Sequence, residues 1–544
     1  MRRPFRAGAA IVFVMAQVAA LAQGNAQPGA SAYRIAGTVV NALTGEPVRG
    51  ATVAVLAEED SHRIAATQSG NDGRFAMDGL GAGKYQLTAS KRGYSTASYD
   101  EHEEYSSAIV TGEGQDTGDL VFRLVPGAVL YGVVTADGGD PVRDVQVMLF
   151  EKPQGHEPGA RIRHRDTAVT DDTGAYEFSN LHAGEYFVMV KAEPWYAHSR
   201  SAASMRKGQG SPADAALDVA YPVTYFDSTT DEASASPIAL AGGSRVEADV
   251  TLHAVPALYL QVEAPRKQDG SVASPELSQT IFGNQLFLGA VVLTNTVNSQ
   301  HIEFNGLAPG QYQLTQRDPP RVLELDATTS QQVEPDAGTP AIPISGTLQT
   351  ANGAPLAGEA VVTLEPADST QGFKAMESGF EKGAFSFAAV PAGEWRVRVG
   401  AGGLREPVIS IAVGGRVHAG NLVTVQDRAQ TLVVKVSAGG MRVEGFARKD
   451  GKGQAGAMVL LVPRDAAAFP ELVRRDQSDS DGSFSLRDAA PGQYTVVAIE
   501  DGWALDWTRP EVIGRYLPGE IAVRVTEASD KVIRLSGPVP IQKK

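Results

Sequence analysis

The sequence predicts an all-β protein built as a string of antiparallel sandwiches, and three observations carry that prediction. A cassette recurs four times at fixed spacing and a fifth time in altered form. Its apolar residues alternate with period two, the pattern of a strand with one buried face. Gly and Pro turns punctuate the whole chain, and helical periodicity is almost absent.

The cassette reads glycine, an aromatic two residues on, an apolar residue at four, a small or aliphatic residue at seven and an aromatic at twelve. The copies are Gly73, Phe75, Met77, Leu80 and Tyr85; Gly174, Tyr176, Phe178, Leu181 and Tyr186; Gly383, Phe385, Phe387, Val390 and Trp395; and Gly482, Phe484, Leu486, Ala489 and Tyr494. After the closing aromatic the alternation resumes, as at Leu87 and Ala89 or Val496 and Ala498. Short turns such as Ala82-Gly83-Lys84 and Pro491-Gly492-Gln493 separate the two runs. Each cassette is therefore expected to be a hairpin or a pair of neighbouring strands.

Upstream of each cassette lies a second recurring block, a turn followed by an alternating strand. It is Gly45-Glu46-Pro47-Val48-Arg49-Gly50-Ala51-Thr52-Val53 in the first unit and Gly139-Asp140-Pro141-Val142-Arg143-Asp144-Val145 in the second, with looser forms at Gly353-Ala354-Pro355 and Gly451-Lys452-Gly453. Before the block comes an opening strand containing Gly37, Gly132, Gly346 or Gly445. The third unit keeps Phe304, Leu307, Pro309, Gly310 and Tyr312 but has Gln300 where the cassette glycine belongs, and reads as a diverged copy.

The closing aromatics lie between 83 and 126 residues apart, the size of an immunoglobulin-like sandwich of roughly 100 residues. At 544 residues the chain is too long for one core. The expected division is a leader over 1–22 and sandwiches over 31–125, 126–255 with a long insertion, 256–340, 341–438 and 439–540. Linkers this short, two of them with Pro126 and Pro256, favour a semi-rigid rod.

Arg2, Arg3 and Arg6 precede an apolar stretch ending in Ala20-Leu21-Ala22, the pattern of a secretory signal cut before Gln23. The stretch is shorter than the about 20 apolar residues of a membrane span, and no later segment is long and apolar enough to be one. The chain has no cysteine, which removes disulfides and thiolate metal sites and suits bacterial export. Formal charge is −15, and loss of the three leader arginines makes it −18. Such a chain has no electrostatic reason to bind nucleic acid or an anionic membrane.

The run of opening strand, Gly-x-Pro-apolar-x-Gly-Ala-x-Val, Asp-x-x-Gly-x-aromatic and Ala-Gly-x-Tyr resembles the carboxypeptidase regulatory-like domain family, over units one, two, four and five. The resemblance implies a transthyretin-like or prealbumin-like sandwich, related to starch-binding-like domains and adhesin stalk repeats. It does not imply catalysis, because such domains are usually appended to something else.

His182-Ala183-Gly184-Glu185 spells a His-x-x-Glu zinc pair, but the same positions read Gly81 to Lys84, Pro391 to Glu394 and Ala490 to Gln493 in the sister copies, so the motif sits in a structural turn. The acidic turns Asp171-Asp172-Thr173-Gly174 and Asp479-Ser480-Asp481-Gly482 fail the calcium-loop pattern and read as backbone caps. Asp78, Ser179, Ala388 and Arg487 at the fifth position after the cassette glycine argue against a recurring isopeptide crosslink. Ser204-Met205-Arg206-Lys207 lacks the helix its enzyme motif needs. The run Asp100-Glu101-His102-Glu103-Glu104 reads as a solvated loop.

The remaining candidates are aromatics outside the cassette: Trp195, Tyr196, Tyr221 and Tyr225 around the long insertion, and Trp503 and Trp507 after the last strand pair. Exposed, they would form a sugar-binding face; buried, they would cover sandwich ends and seams between units. The expected function is a non-enzymatic exported binding or structural protein, with a polysaccharide or cell-envelope protein as partner and with neither cofactor nor metal. The alternative is a mechanical spacer or assembly scaffold at the cell surface, and a hydrolase stands third.

Overall fold

A computed structural model describes residues 33–58, 62–153, 162–194, 197, 217–265, 275–288, 291–295, 299–317, 320–334, 337–367, 375–380, 383–401, 404–438, 441–467, 469–526 and 531–544. The leader, Trp195, Tyr196 and the Ser204 to Lys207 motif lie outside the described residues. Among those described, the strands form five sandwiches in chain order.

The first sandwich sets the plan. Its opening strand Tyr33–Asn41 pairs antiparallel with the cassette strand Arg74–Leu80 and parallel with Leu120–Leu124. The facing sheet is built on Thr52–Ala57, flanked by Arg63–Gln68 and by Gly83–Ser90, the strand that follows the cassette turn. The two cassette strands thus belong to opposite sheets, which corrects the hairpin expectation: the turn arches across the core. The physical reason is that both runs bury the same face, with Phe75, Met77, Tyr85, Leu87 and Ala89 in one cluster.

The register repeats in all five sandwiches. The residue two after the cassette glycine faces the opening-strand glycine: Phe75 opposite Gly37, Tyr176 opposite Gly132, Phe385 opposite Gly346, and Phe484 opposite Gly445. In the fourth and fifth sandwiches the ring lies over the glycine, so a Cβ on Gly445 would stand 2.7 Å from the Phe484 ring and one on Gly346 would stand 2.2 Å from Phe385; in the first two a Cβ on Gly37 or Gly132 would instead meet the Leu120 or Ala248 carbonyl at 2.1 or 2.3 Å. In the third sandwich Val262 faces Ile302 at the same register point. A larger opening-strand residue is matched there by a smaller cassette residue, which marks this unit as a size-compensated copy of the same plan.

The closing aromatic is also used identically. Tyr85, Tyr186, Tyr312 and Tyr494 donate their hydroxyls to the carbonyls of Gly81, His182, Ala308 and Ala490, four residues earlier, at 2.5 to 3.1 Å. Trp395 does the same with its indole Nε1, 3.0 Å from the Pro391 carbonyl. The cassette glycine takes a left-handed φ of +74° at Gly73, +75° at Gly174 and +83° at Gly482, where a Cβ would also meet an opening-strand carbonyl at 2.5 Å.

The sandwiches are joined tightly. Arg321 and Val322 pair with Pro340 and Thr339, so a sheet of the third sandwich continues into the fourth. The fifth sandwich then returns to the first, and side chains hydrogen bond to backbone groups 371 positions away. The tandem sandwiches are as expected, but the rod is corrected, because the two ends of the array are in contact.

The glycine and its facing ring make a specific prediction. Gly445→Val is expected to cost about 2–3 kcal/mol by overpacking against Phe484. Adding Phe484→Ile, which reproduces the third unit's pair, is expected to return at least about 1 kcal/mol of it as coupling in a double-mutant cycle read by urea unfolding.

Candidate functional site

The structure gathers buried charge and aromatic surface where the first and fifth sandwiches meet. The loop from Tyr99 to Thr111 of the first sandwich lies along the strand Arg474–Gln477 and the acidic turn after it. Backbone amides start the contact: Ser480 N donates to the Ala108 carbonyl at 3.0 Å, Ala108 N to the side-chain Asp479 Oδ1 at 2.9 Å, and Val110 N to the side-chain Ser480 Oγ at 2.8 Å. Gln477 Nε2 reaches the Asp100 carbonyl and Ser107 Oγ, and its Oε1 accepts from His102 Nδ1 at 3.0 Å.

Arg475 is the centre of this seam. Its side chain is 1% exposed and its guanidinium lies 2.6 Å from Glu103, itself 10% exposed. The same guanidinium stands 5.0 Å from the Tyr105 ring, 5.7 Å from Trp503 and 4.8 Å from Trp507. Glu103 and Tyr105 come from the first sandwich, the two tryptophans from the fifth. His102 stacks on Trp503 with ring centroids 5.2 Å apart. A charge this enclosed is tolerable because a carboxylate and three π faces replace its water.

A second charged group sits beside it. Lys84 Nζ lies 2.5 Å from Asp479 Oδ2. Burial disfavours the ammonium, but the Asp479 carboxylate more than offsets that and holds Lys84 above its ordinary pKa. Burial likewise lifts Asp479, against the pull of Lys84. Burial raises the neighbouring Asp476 carboxyl to about 7, although it accepts from the amides of Ser485 and Gln477. Arg487 and Glu58 close the rim at 3.0 Å.

Several sequence expectations are revised by this geometry. The run Asp100 to Glu104 is solvated only in part: Asp100, Glu101 and Glu104 are exposed, but the Glu103 side chain is buried against Arg475 and a half-buried His102 stacks on Trp503. The turn at Asp171 caps its own backbone, accepting from Thr173 and Ala175. Asp479 instead spends its carboxylate on the first sandwich. His182 and Glu185 serve the turn and an exposed ion pair with Lys152. Among the described residues no group of three or more His, Asp or Glu side chains could hold a metal.

The described candidate aromatics present no open ring face. Trp503 is 9% exposed and Trp507 4%, both packed in the seam just described. Tyr221 is buried in the core of the second sandwich. Tyr225 belongs to a socket with Phe150, Phe187 and Met189 that receives Phe282 of the third sandwich, whose amide also donates to Glu232 at 2.7 Å. Phe282 and Gly283 form a two-residue hairpin turn, both with positive φ, +48° and +79°. A phenylalanine accepts that strained conformation here because its ring fills the neighbouring socket.

Sequence comparison bears on the first two sandwiches. Residues 34–125 and 129–218 each match the model of the Carboxypeptidase regulatory-like domain. The chain carries this domain twice. The same strand register recurs in the other three sandwiches. No curated protein matches the chain.

Solved structures with some likeness include the minor pilin GBS52 of Streptococcus agalactiae, 14% identical over 41% of this chain and 97% of that one, with a TM-score of 0.22. A streptococcal ancillary pilin is 13% identical over 56% and 98%, TM-score 0.20. The shaft pilin SpaA of Lactobacillus rhamnosus GG is 7% identical over 42% and 98%, TM-score 0.20. At these scores the likeness bears on neither assembly nor function.

Two outcomes follow from the seam. Arg475→Ala leaves Glu103 buried without its partner, and a loss of about 3–5 kcal/mol is expected in urea unfolding, with Arg475→Lys between it and the parent. Asp476 titrates near 4 in an unfolded chain and near 7 here, so between those values the folded chain keeps a proton that the unfolded chain has released. Stability from this group therefore falls as pH rises from about 4 to about 7, and Asp476→Asn should flatten that fall when unfolding is compared at about pH 4.5 and about pH 7.5.

Proposed function

We propose that this protein is an exported, non-enzymatic structural protein of the cell envelope, a spacer or assembly scaffold whose sandwiches are locked to one another. The observation that carries this reading is where the costly groups are spent. Arg475, Glu103, Lys84 and Asp479 are buried at a seam between sandwiches, and Phe282, Tyr225, Trp503 and Trp507 fill sockets between them. Buried charges and large rings fixed by packing partners hold a shape rather than present a reactive cleft.

Export is supported by the basic and apolar leader and by the absence of cysteine from a chain of 544 residues. No helix among the described residues is long and apolar enough to cross a membrane. Fractionation of cells expressing the full chain, with amino-terminal sequencing of the product, tests the reading. A mature chain starting at Gln23 in an envelope or external fraction is expected; a chain retained in the cytoplasm with Met1 to Ala22 intact would contradict it.

A further inference from the structure

A groove of about 710 Å³ runs between the first and second sandwiches, and none of its lining residues takes part in the buried contact at Arg475. Three of the ten residues lining it are positively charged, namely Lys91 and Arg92 from the first sandwich and Arg165 from the second, and none is acidic. This gathering of positive charge stands out in a chain of formal charge −15. Like charges brought together on a concave wall repel one another and focus an attraction for anions.

The charges are not spent on neighbours. Arg92 is exposed and has no ion-pair or hydrogen-bond partner among the described residues. Arg165 meets Glu151 at a loose 3.8 Å, and Glu151 does not line the groove. Lys91 is held in place by the Arg49 carbonyl at 2.7 Å, 5.6 Å from the centre of the Tyr94 ring. The two walls are fixed relative to each other, because Gly127 N donates to the Gly93 carbonyl at 3.1 Å and Ser95 Oγ to the Leu181 carbonyl at 3.3 Å. A groove already in its final shape loses little ordering entropy when it binds.

We propose that this groove binds an anionic sugar polymer, one bearing carboxylate or phosphate groups. Guanidinium groups pair with either anion through two parallel N–H donors. The rest of the lining is hydroxyl and amide groups, including Asn180, with the Tyr94 ring and no aliphatic side chain. That lining suits a polyhydroxylated chain, whereas a peptide is anchored by apolar pockets. The setting rests on the envelope reading, but binding does not: it is read on purified protein, so failure of localisation and failure of binding are separate results.

The experiment is titration of the purified chain from Gln23 onward, at about 0.15 M salt, with polygalacturonate, a polyol-phosphate polymer, neutral dextran and poly-glutamate. Binding to at least one of the two acidic sugar polymers, none to dextran, and a loss of at least about tenfold in the Arg92→Glu, Arg165→Glu double variant are expected. Both arginines are exposed, and the unfolding curve of the variant is expected to overlay that of the parent. Whichever acidic polymer binds identifies the anion. The proposal is overturned if neither binds, if the double variant binds as well as the parent, or if poly-glutamate binds as tightly.

Discussion

One hydrogen bond recurs in every sandwich and fixes the geometry on which the rest depends. The closing aromatic donates to the carbonyl four residues earlier, across the turn by which the chain leaves one sheet and enters the other. A ring buried at that point with its donor unpaired would cost about 1–3 kcal/mol. The carbonyl therefore stays beneath the ring, the arch keeps one shape, and the cassette strand keeps the register that, in four of the sandwiches, sets its aromatic residue opposite the opening-strand glycine. Trp395 meets the same requirement with an indole N–H, so the constraint is on the donor rather than on tyrosine.

With the arch fixed, the loops that leave each sandwich are free to vary, and the seams are built there. Phe282 on its hairpin enters a socket of the preceding sandwich. The Tyr99 to Thr111 loop leaves the first sandwich and meets the strand and acidic turn at Arg474 to Ser480. Both contacts use rings and charges that a free sandwich would expose, so each sandwich is completed by its neighbours.

The local parts of this plan were legible in the sequence. Spacing of Gly73, Phe75 and Tyr85 and their counterparts is a short-range pattern, and it located the strands and the repeat. That the two cassette strands lie in opposite sheets was not legible, since period two is the same for a hairpin and for an arch. The third unit looked degraded because Gln300 replaced the glycine, yet Val262 and Ile302 show that two changes were matched across a strand pair, a relation that reading one strand at a time does not expose. The contact between the first and fifth sandwiches left no local trace. Glu103 reads as one acid in an acidic run, and Arg475 as one of two adjacent arginines in a charged strand; their pairing spans 372 positions. The signal that could have been heeded was Phe282 before Gly283, a large ring where a tight turn favours Asn or Asp.

The central claim is that the array closes on itself through the first and fifth sandwiches. Because the natural chain has no cysteine, two can be introduced without background. Glu58→Cys with Arg487→Cys places them at an exposed ion pair on the rim of the contact. Treatment of the dilute double variant with a short bis-maleimide, followed by peptide mass spectrometry, is the direct measurement. Closure predicts an intramolecular crosslink between the two positions in monomeric protein, lost when Arg475→Ala is added; monomer with both thiols reacted but not joined would contradict it.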